Sequence, residues 1–558
     1  MTSFSRAAAA QLTGRTFDVL VVGGGINGVA IARDAATRGL SVALVERGDL
    51  AVGTSSWNSR LIHGGLRYLE HGEIPLVYES LHDRECLFRI APHLMTPLAF
   101  VVPLYNHNHL PGWMFRIGLA MYDILSLGKS VPAHRYLGRK AIDTELPGLD
   151  KERLAGAVRY YDGQVTYPER LVLETALSAT EAGAVIGTYI QASDILRDGS
   201  RVIGVSARDL LSDDTFEIRA TCVVNAAGPW VDELGEKLGM PRQIGGTTGT
   251  HFVVDAFPGA PDACIYFEAR SDNRAILVMP WNGRYLIGTT DDRFDGDPST
   301  VRGTDDEVAY LIAETNQLIP TANLTADDVL LTYTGVRPLP YRPGVKAGNI
   351  PRSHLILAHD DAPGLVTIVG GKLTPHLSLG RQSVDKIARK LGRSLPQSRT
   401  DRTPLPGALS PRWSGATAAR QRLLAALPWE RTLSERLVDV YGARAADIRD
   451  LAATEAGADE VFGEGRGAVV AAEVLHAVRA EGAVTLVDIL HRRTLVGLEP
   501  ALGTDVERPV AELAARELGW SRSRLDAELA AHRTYIGRLE GGVPRPRTVP
   551  VSAPSTKG

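Results

Sequence analysis

An α/β fold is what this sequence predicts, joined to a second, strand-rich unit and to a separate all-helical domain at its C-terminal end. Three observations carry the expectation. Residues 17–50 read as strand, glycine turn, helix and strand: FDVLVV, GGGING, VAIARDAATRGL and SVALVE. Strand patterns return through HFVVD, AILVMPW and RYLIGTTD, and beyond about residue 400 alanine, leucine and arginine recur at helical spacing.

Size and composition narrow the class. A chain of 558 residues has room for several cores, and the soft prior of roughly 150 residues per domain suggests two to four units. With 44% hydrophobic and 23% charged residues and a formal net charge of -4, it reads as an ordinary soluble protein without the basic excess that nucleic acid demands. Cys86, Cys222 and Cys264 form no CxxC pair, which argues against a disulfide scaffold, a metal site or a dithiol centre and fits a reducing cytoplasm. The N-terminal MTSFSRAAAAQLTGRTF lacks a long apolar core, and no stretch approaches the roughly 18 apolar residues that span a bilayer, so any membrane contact is expected to be peripheral.

In the first unit, Gly23, Gly25 and Gly28 form GxGxxG between a strand and a helix, the context in which this pattern means dinucleotide binding of Rossmann type. The first glycine permits the tight turn, the second lets backbone approach a pyrophosphate at the helix N-terminus, and the third allows close helix–strand packing. Glu46 closes the second strand, placed for ribose hydroxyls. Residues 51–90 open with small polar and glycine-rich segments, GTSSWNS and LIHGGLRYLEHG, then turn helical. The segment WMFRIGLAMYDILSLG, 113–128, is amphipathic and reads first as a core helix, second as a membrane-docking one.

A second α/β stretch runs from about 169 to 230 and ends in CVVNAAGPW. After GLVTIVGGKLT at 364–374 comes a helix, and RTDRTPLPGALSPRW is a Pro-rich boundary before the helical domain. The final GGVPRPRTVPVSAPSTKG is expected to be disordered, and no internal repeat is seen.

The βαβ unit alone would suit NAD as well as FAD. GTSS at 53–56, with Thr54 and Ser55, and Ala227 and Gly228 in VVNAAGPW point to an ADP-flavin cradle assembled from distant segments. Arg67, Tyr68, His251, Thr290, Arg337 and Lys372 lie beside glycine turns and suggest an anion pocket, because guanidinium forks and ammonium groups recognise phosphate or carboxylate. His251 is the candidate general base, and His63 is read as lining the flavin.

Taken together, GGGINGVAIARDAATRGLSVALVE, GTSSWNSRLIHGGLRYLEHGE, VVNAAGPWV, LIGTTD, YTGVRPL, GGKLT and DILHRRT resemble the FAD-dependent, quinone-linked glycerol-3-phosphate dehydrogenases, over about residues 17–540. The resemblance implies a glutathione-reductase-like, amino-acid-oxidase-like flavin domain, an antiparallel-sheet substrate domain over the flavin and a helical C-terminal cap. It places FAD-binding segments at 1–100, 166–245 and 336–400, substrate-domain segments at 101–165 and 246–335, the helical domain at 401–540 and the tail at 541–558. It implies hydride transfer from C2 of sn-glycerol 3-phosphate to flavin N5, giving dihydroxyacetone phosphate, with electrons passing to membrane quinone and the respiratory chain. A peripheral position on the cytoplasmic face of the cell membrane follows, with a homodimer left open.

On this resemblance Arg67, Tyr68, Thr290, Arg337 and Lys372 contact substrate, while His251 and Arg337 are catalytic. The cofactor set is Gly23, Gly25, Ile26, Asn27, Gly28, Glu46, Arg47, Thr54, Ser55, Ser59, His63, Gly64, Gly65, Ala227, Gly228, Gly371, Lys372, Leu373 and Thr374. Two segments depart from the family pattern: Thr248 stands where a lysine is usual, and Pro375, His376 and Leu377 replace Thr-Tyr-Arg. The alternatives are an oxidase delivering electrons to oxygen, an amino-acid or amine oxidase of the same fold, and a non-catalytic flavin-binding sensor.

Overall fold

The computed structural model describes residues 4–540 apart from 70, 71, 110, 346, 347, 349, 411 and 412. The Pro-rich segment 541–558, expected to be disordered, lies outside the described residues.

The βαβ unit forms as its pattern requires. Strand Thr16–Val22 pairs in parallel with Val42–Glu46 on one side and with Thr215–Asn225 on the other. Leu365–Val369 and Val185–Thr188 extend the parallel sheet at either end. Alternate residues serve two cores: Val19, Val21, Val42 and Leu44 pack toward helices Ile26–Thr37, Pro168–Glu181 and His376–Leu391. Leu20, Val22, Ala43 and Val45 pack toward the antiparallel strands Ile190–Asp198 and Arg201–Asp209. A strand covered on both faces has no solvent side, which is why it reads as a continuous apolar run.

The second sheet has ten strands. Thr247–Val254 runs between Arg284–Gly288 and Val329–Arg337, and every pairing is antiparallel except that of Cys264–Glu268 with Met95–Tyr105. The sheet recruits Leu61–Ile62 and Met95–Tyr105 from the stretch expected to be flavin-binding, and it runs on to Arg337. The boundaries expected at 100 and 335 are therefore crossed by strands, because pairing partners come from segments far apart in sequence.

The helical domain packs closely on the rest of the chain. Its Leu433, Leu437, Tyr441 and Ile536 share one core with Leu61, Trp281 and Tyr333 of the sheet and with Trp57 just before it. Buried ion pairs cross the boundary: Arg170 meets Glu481 at 2.7 and 2.8 Å, and Glu481 also accepts from Arg444. It also carries a short antiparallel pair, Val461–Phe462 with Val469–Val470. Alanine-rich periodicity shows helices but says nothing about the face each turns to another domain.

Helix Gly112–Leu125 takes neither of its two readings alone. Phe115, Leu119 and Tyr122 are buried, while Trp113, Met114, Ile117 and Ile124 are exposed, Trp113 by 62%, and Leu127 just beyond is 84% exposed.

Candidate active site

A cavity of about 1400 Å³ lies between the two sheets, larger than the roughly 300–1,000 Å³ of an ordinary single-ligand pocket. One end is built by the glycine turn and helix Ile26–Thr37. A Cβ on Gly28 would stand 1.9 Å from the Gly23 carbonyl oxygen, so the first and third glycines pack directly on each other. Ile26 N donates to Ser55 Oγ at 2.9 Å, tying the helix start to the GTSS segment. The positive end of the helix dipole then faces the cavity, as a pyrophosphate requires. Glu46 accepts from Gly24 N at 2.7 Å and Gly48 N at 2.9 Å, leaving lone pairs for ribose hydroxyls. Burial raises its carboxyl above the ordinary range, with those two bonds opposing.

Most of the expected cofactor set lines this cavity: Gly23, Gly25, Ile26, Asn27, Glu46, Arg47, Thr54, Ser55, Ser59, His63, Gly65, Ala227, Gly228, Gly371, Lys372, Leu373 and Thr374. Gly28 and Gly64 do not line it. Gly28 is a packing residue, and Gly64 lies behind the wall with its N–H on the Tyr122 hydroxyl at 2.9 Å. Among the lining residues whose buried polar atoms have no hydrogen-bond partner among the described residues are Asn27, at Oδ1, and Lys372, at Nζ. Both are left for a ligand, and with the glycine turn they make the cavity a fit for FAD.

Cations also gather along the cavity wall. Lys372 Nζ lies 3.0 Å from the centre of the Tyr68 ring. Burial, and Arg352 nearby, push its ammonium well below the ordinary value, with Glu73 opposing. Arg337 donates from Nη1 to Thr248 O and Asp291 Oδ1, and from Nη2 to Thr289 Oγ1 and Thr290 O, at 2.6–3.1 Å. All four Nη hydrogens thus meet protein oxygens, and a ligand meets this guanidinium as a fixed positive field. Asp291 bridges Arg337 to Arg352, whose Nη2 donates to Oδ2 at 3.1 Å. Burial works to raise Asp291, and the two guanidiniums outweigh it and hold the carboxyl below the usual range.

Three expectations shift. Thr290 does not reach the cavity: its hydroxyl donates to Glu307 at 2.6 Å and accepts from Thr250 N, and the neighbouring Thr289 lines the wall instead. Successive residues of an extended chain face opposite sides. His251, only 2% exposed, stands one layer back: its Nε2 meets Ser59 Oγ at 2.8 Å, and Ser59 lines the cavity. The side chain of Arg67 lies outside the described residues. Burial, with Arg337 and Arg60 adding, pushes the His251 imidazole down to about 3, so it is neutral at physiological pH. His63 is likewise pushed down to about 4 by burial. Sequence reasoning missed Arg352 and Asp291: no motif surrounds Arg352, whereas Asp291 directly follows GTT and could have been found there.

The cavity is also lined by apolar Phe100, Tyr160, Tyr266 and Leu277 and by Phe115 from the buried face of helix Gly112–Leu125.

Residues 18–377 match the family model described as FAD dependent oxidoreductase, and residues 398–525 match that of the C-terminal domain of alpha-glycerophosphate oxidase. The chain is similar to a glycerol-3-phosphate dehydrogenase of Synechocystis sp., at 42% identity over 94% of this chain and 97% of that protein. It is similar to the mitochondrial glycerol-3-phosphate dehydrogenase of Rattus norvegicus, at 33% identity over 93% of this chain and 73% of that one. Among solved structures it resembles the glycerol-3-phosphate dehydrogenase from Bacillus halodurans complexed with FAD, with a TM-score of 0.79 at 28% identity, covering 96% of this chain and 98% of that one.

Proposed function

The chain belongs to the FAD-dependent glycerol-3-phosphate dehydrogenases, and on that premise we propose that it oxidises sn-glycerol 3-phosphate at C2 to dihydroxyacetone phosphate and passes the electrons to a membrane quinone. The observation that carries the reading is that Lys372, Arg352 and Arg337 line the same cavity as Ser59, which is backed by His251, and as the glycine turn that fits a dinucleotide. FAD, when bound, supplies the acceptor for the hydride at N5. Lys372 and Arg352 hold the phosphate dianion, and Tyr68 closes over Lys372. The dianion lowers the local positive potential and raises the affinity of His251 for a proton. Ser59 takes the proton of the substrate's C2 hydroxyl and hands its own to His251 Nε2, so that the alcohol becomes a ketone as hydride leaves. A cation-rich wall disfavours an amino-acid substrate, whose ammonium it would repel.

Two features support a quinone as acceptor. Phe115 of helix Gly112–Leu125 lines the cavity, and other residues of that helix, Trp113, Met114, Ile117 and Ile124, are exposed. No helix among the described residues is long and apolar enough to cross a membrane, and a two-faced apolar helix suits peripheral docking at the cytoplasmic face. Oxygen is the second reading for the acceptor, favoured by the match of residues 398–525 to an oxidase domain model.

Anaerobic titration of the yellow protein with sn-glycerol 3-phosphate tests the reading. Bleaching of the oxidised flavin is the expected result, followed by faster recovery of colour with a short-chain quinone than with air. Colour that persists with substrate but is bleached by dithionite would sink it.

A further inference from the structure

The segment DILHRRT, residues 488–494, lines no part of the cavity, and the chemistry above makes no use of it. The chain widens there into a π-helical turn, Ile489–Arg493, a geometry that is rare and frequent at functional sites. The turn brings two successive arginines to one carboxylate. Arg493 Nη1 and Nη2 donate to Asp49 at 2.6 and 2.9 Å, and Arg492 Nε donates to the same Asp49 at 2.7 Å. Arg492 Nη2 also donates to Asp488 at 2.8 Å, and Asp488 accepts from the Tyr189 hydroxyl at 2.7 Å. Asp49, Asp488, Arg492 and Arg493 are all buried, and their two negative and two positive charges close on each other. A buried network of this kind is tolerated only when every member keeps its partner.

Both outward ends of this network adjoin the cavity wall. Asp49 follows Glu46 and Arg47, which line the dinucleotide end, and Gly48 between them donates to Glu46 and accepts from Tyr189 N at 2.9 Å. Tyr189 directly precedes Ile190, Gln191 and Ala192, which also line the cavity. Its φ is +56°, a left-handed conformation that a bulky side chain adopts only where its surroundings impose it.

We propose that the C-terminal domain clamps the cofactor: the DILHRRT turn, through Asp49 and Tyr189, fixes the two wall segments that receive the adenosine half of FAD, so domain docking and FAD retention are linked. The inference rests on the FAD reading, and linkage makes it reciprocal: whatever holds the folded site favours the ligand, and the ligand favours what holds the site.

The test uses the full-length holoprotein. Asp49→Asn and Arg493→Lys should each weaken FAD binding about tenfold, read from the fluorescence of released flavin, while the FAD-saturated fraction is reduced by substrate at the wild-type rate. Arg436→Lys, which loosens the buried Arg436–Glu473 pair inside the same domain, should lower thermal stability and leave FAD affinity within about twofold. Because the first two variants could unfold, hydrogen exchange on the wild-type chain provides an independent reading: adding FAD should slow amides 485–495, none of which lines the cavity. Unchanged FAD affinity in both variants, or protection confined to the lining segments, would overturn the clamp. A wild-type protein that binds no FAD would overturn the cofactor reading beneath it.

Discussion

His251 is the residue on which the proposed chemistry turns. Exchange of His251 for Gln should lower the rate of flavin reduction by about 10²–10⁴-fold while FAD stays bound, because the ring serves the proton and not the cofactor. Rapid-mixing absorbance would show it, and an unchanged rate would remove His251 from the mechanism. The sequence picked out His251 as the candidate base, but its position one layer behind Ser59 was not legible, because that contact joins residues 192 apart. Thr290 was misassigned by one residue for a similar reason: the motif gives the threonine pair and not which of the two faces inward. The two departures from the family pattern acquire physical content. Thr248 presents its carbonyl oxygen to Arg337, a contact that needs no particular side chain. His376 is buried at the start of its helix with Nδ1 on Leu373 O at 2.7 Å, and burial pushes it down to about 4, so this chain keeps a neutral ring there.

At the scale of the element, helix Gly112–Leu125 shows the limit of periodicity. A helix apolar on one face is assigned to a core by its spacing, whereas one apolar on two faces gives no preferred direction, and only the fold shows which face is covered. Seven of the exposed large apolar side chains, Ile74, Tyr78, Trp113, Met114, Ile117, Ile124 and Leu127, lie on this helix, its C-terminal turn or the preceding helix Ile74–Ile90. A double exchange of Trp113 and Ile117 for Glu should reduce the fraction that floats with anionic phospholipid vesicles severalfold and leave the anaerobic reduction rate unaltered. Equal flotation of the variant and the parent protein would rule this face out as the membrane contact. The glycine turn lies at the opposite extreme: it was fully legible, since both the turn and the anion site are properties of backbone that glycine spacing reports directly.

For the whole molecule, acid stability depends on buried histidines held neutral, His251, His63 and His376 among them. His251, pushed down to about 3, and His63 and His376, each to about 4, take up protons on unfolding between those values and their ordinary value near 6.5. The unfolded chain then binds more protons than the folded one, so stability falls as pH drops from 6.5 toward 4, by about 1.4 kcal/mol per pH unit for each proton. Asp83, raised by burial to about 7, has the opposite sign over the same window and offsets one of the three. The midpoint of thermal unfolding at fixed FAD should therefore decline between pH 6.5 and 4.5, and a flat or rising profile would contradict it. The three architectural parts were legible from periodicity, but the interleaving of two sheets and the fusion of the helical domain to them were not, since both are set by long-range pairing. That interleaving has a consequence for how the chain is made. Strand Thr16–Val22 borders Val42–Glu46 and Thr215–Asn225, and the second neighbour leaves the ribosome roughly 180 residues after the first, about 10–40 s later at ordinary rates of translation. Throughout that interval the nascent chain carries an apolar strand with one open edge, the kind of surface that chaperones bind, and the nucleotide pocket stays open until Gly371–Thr374 has also emerged.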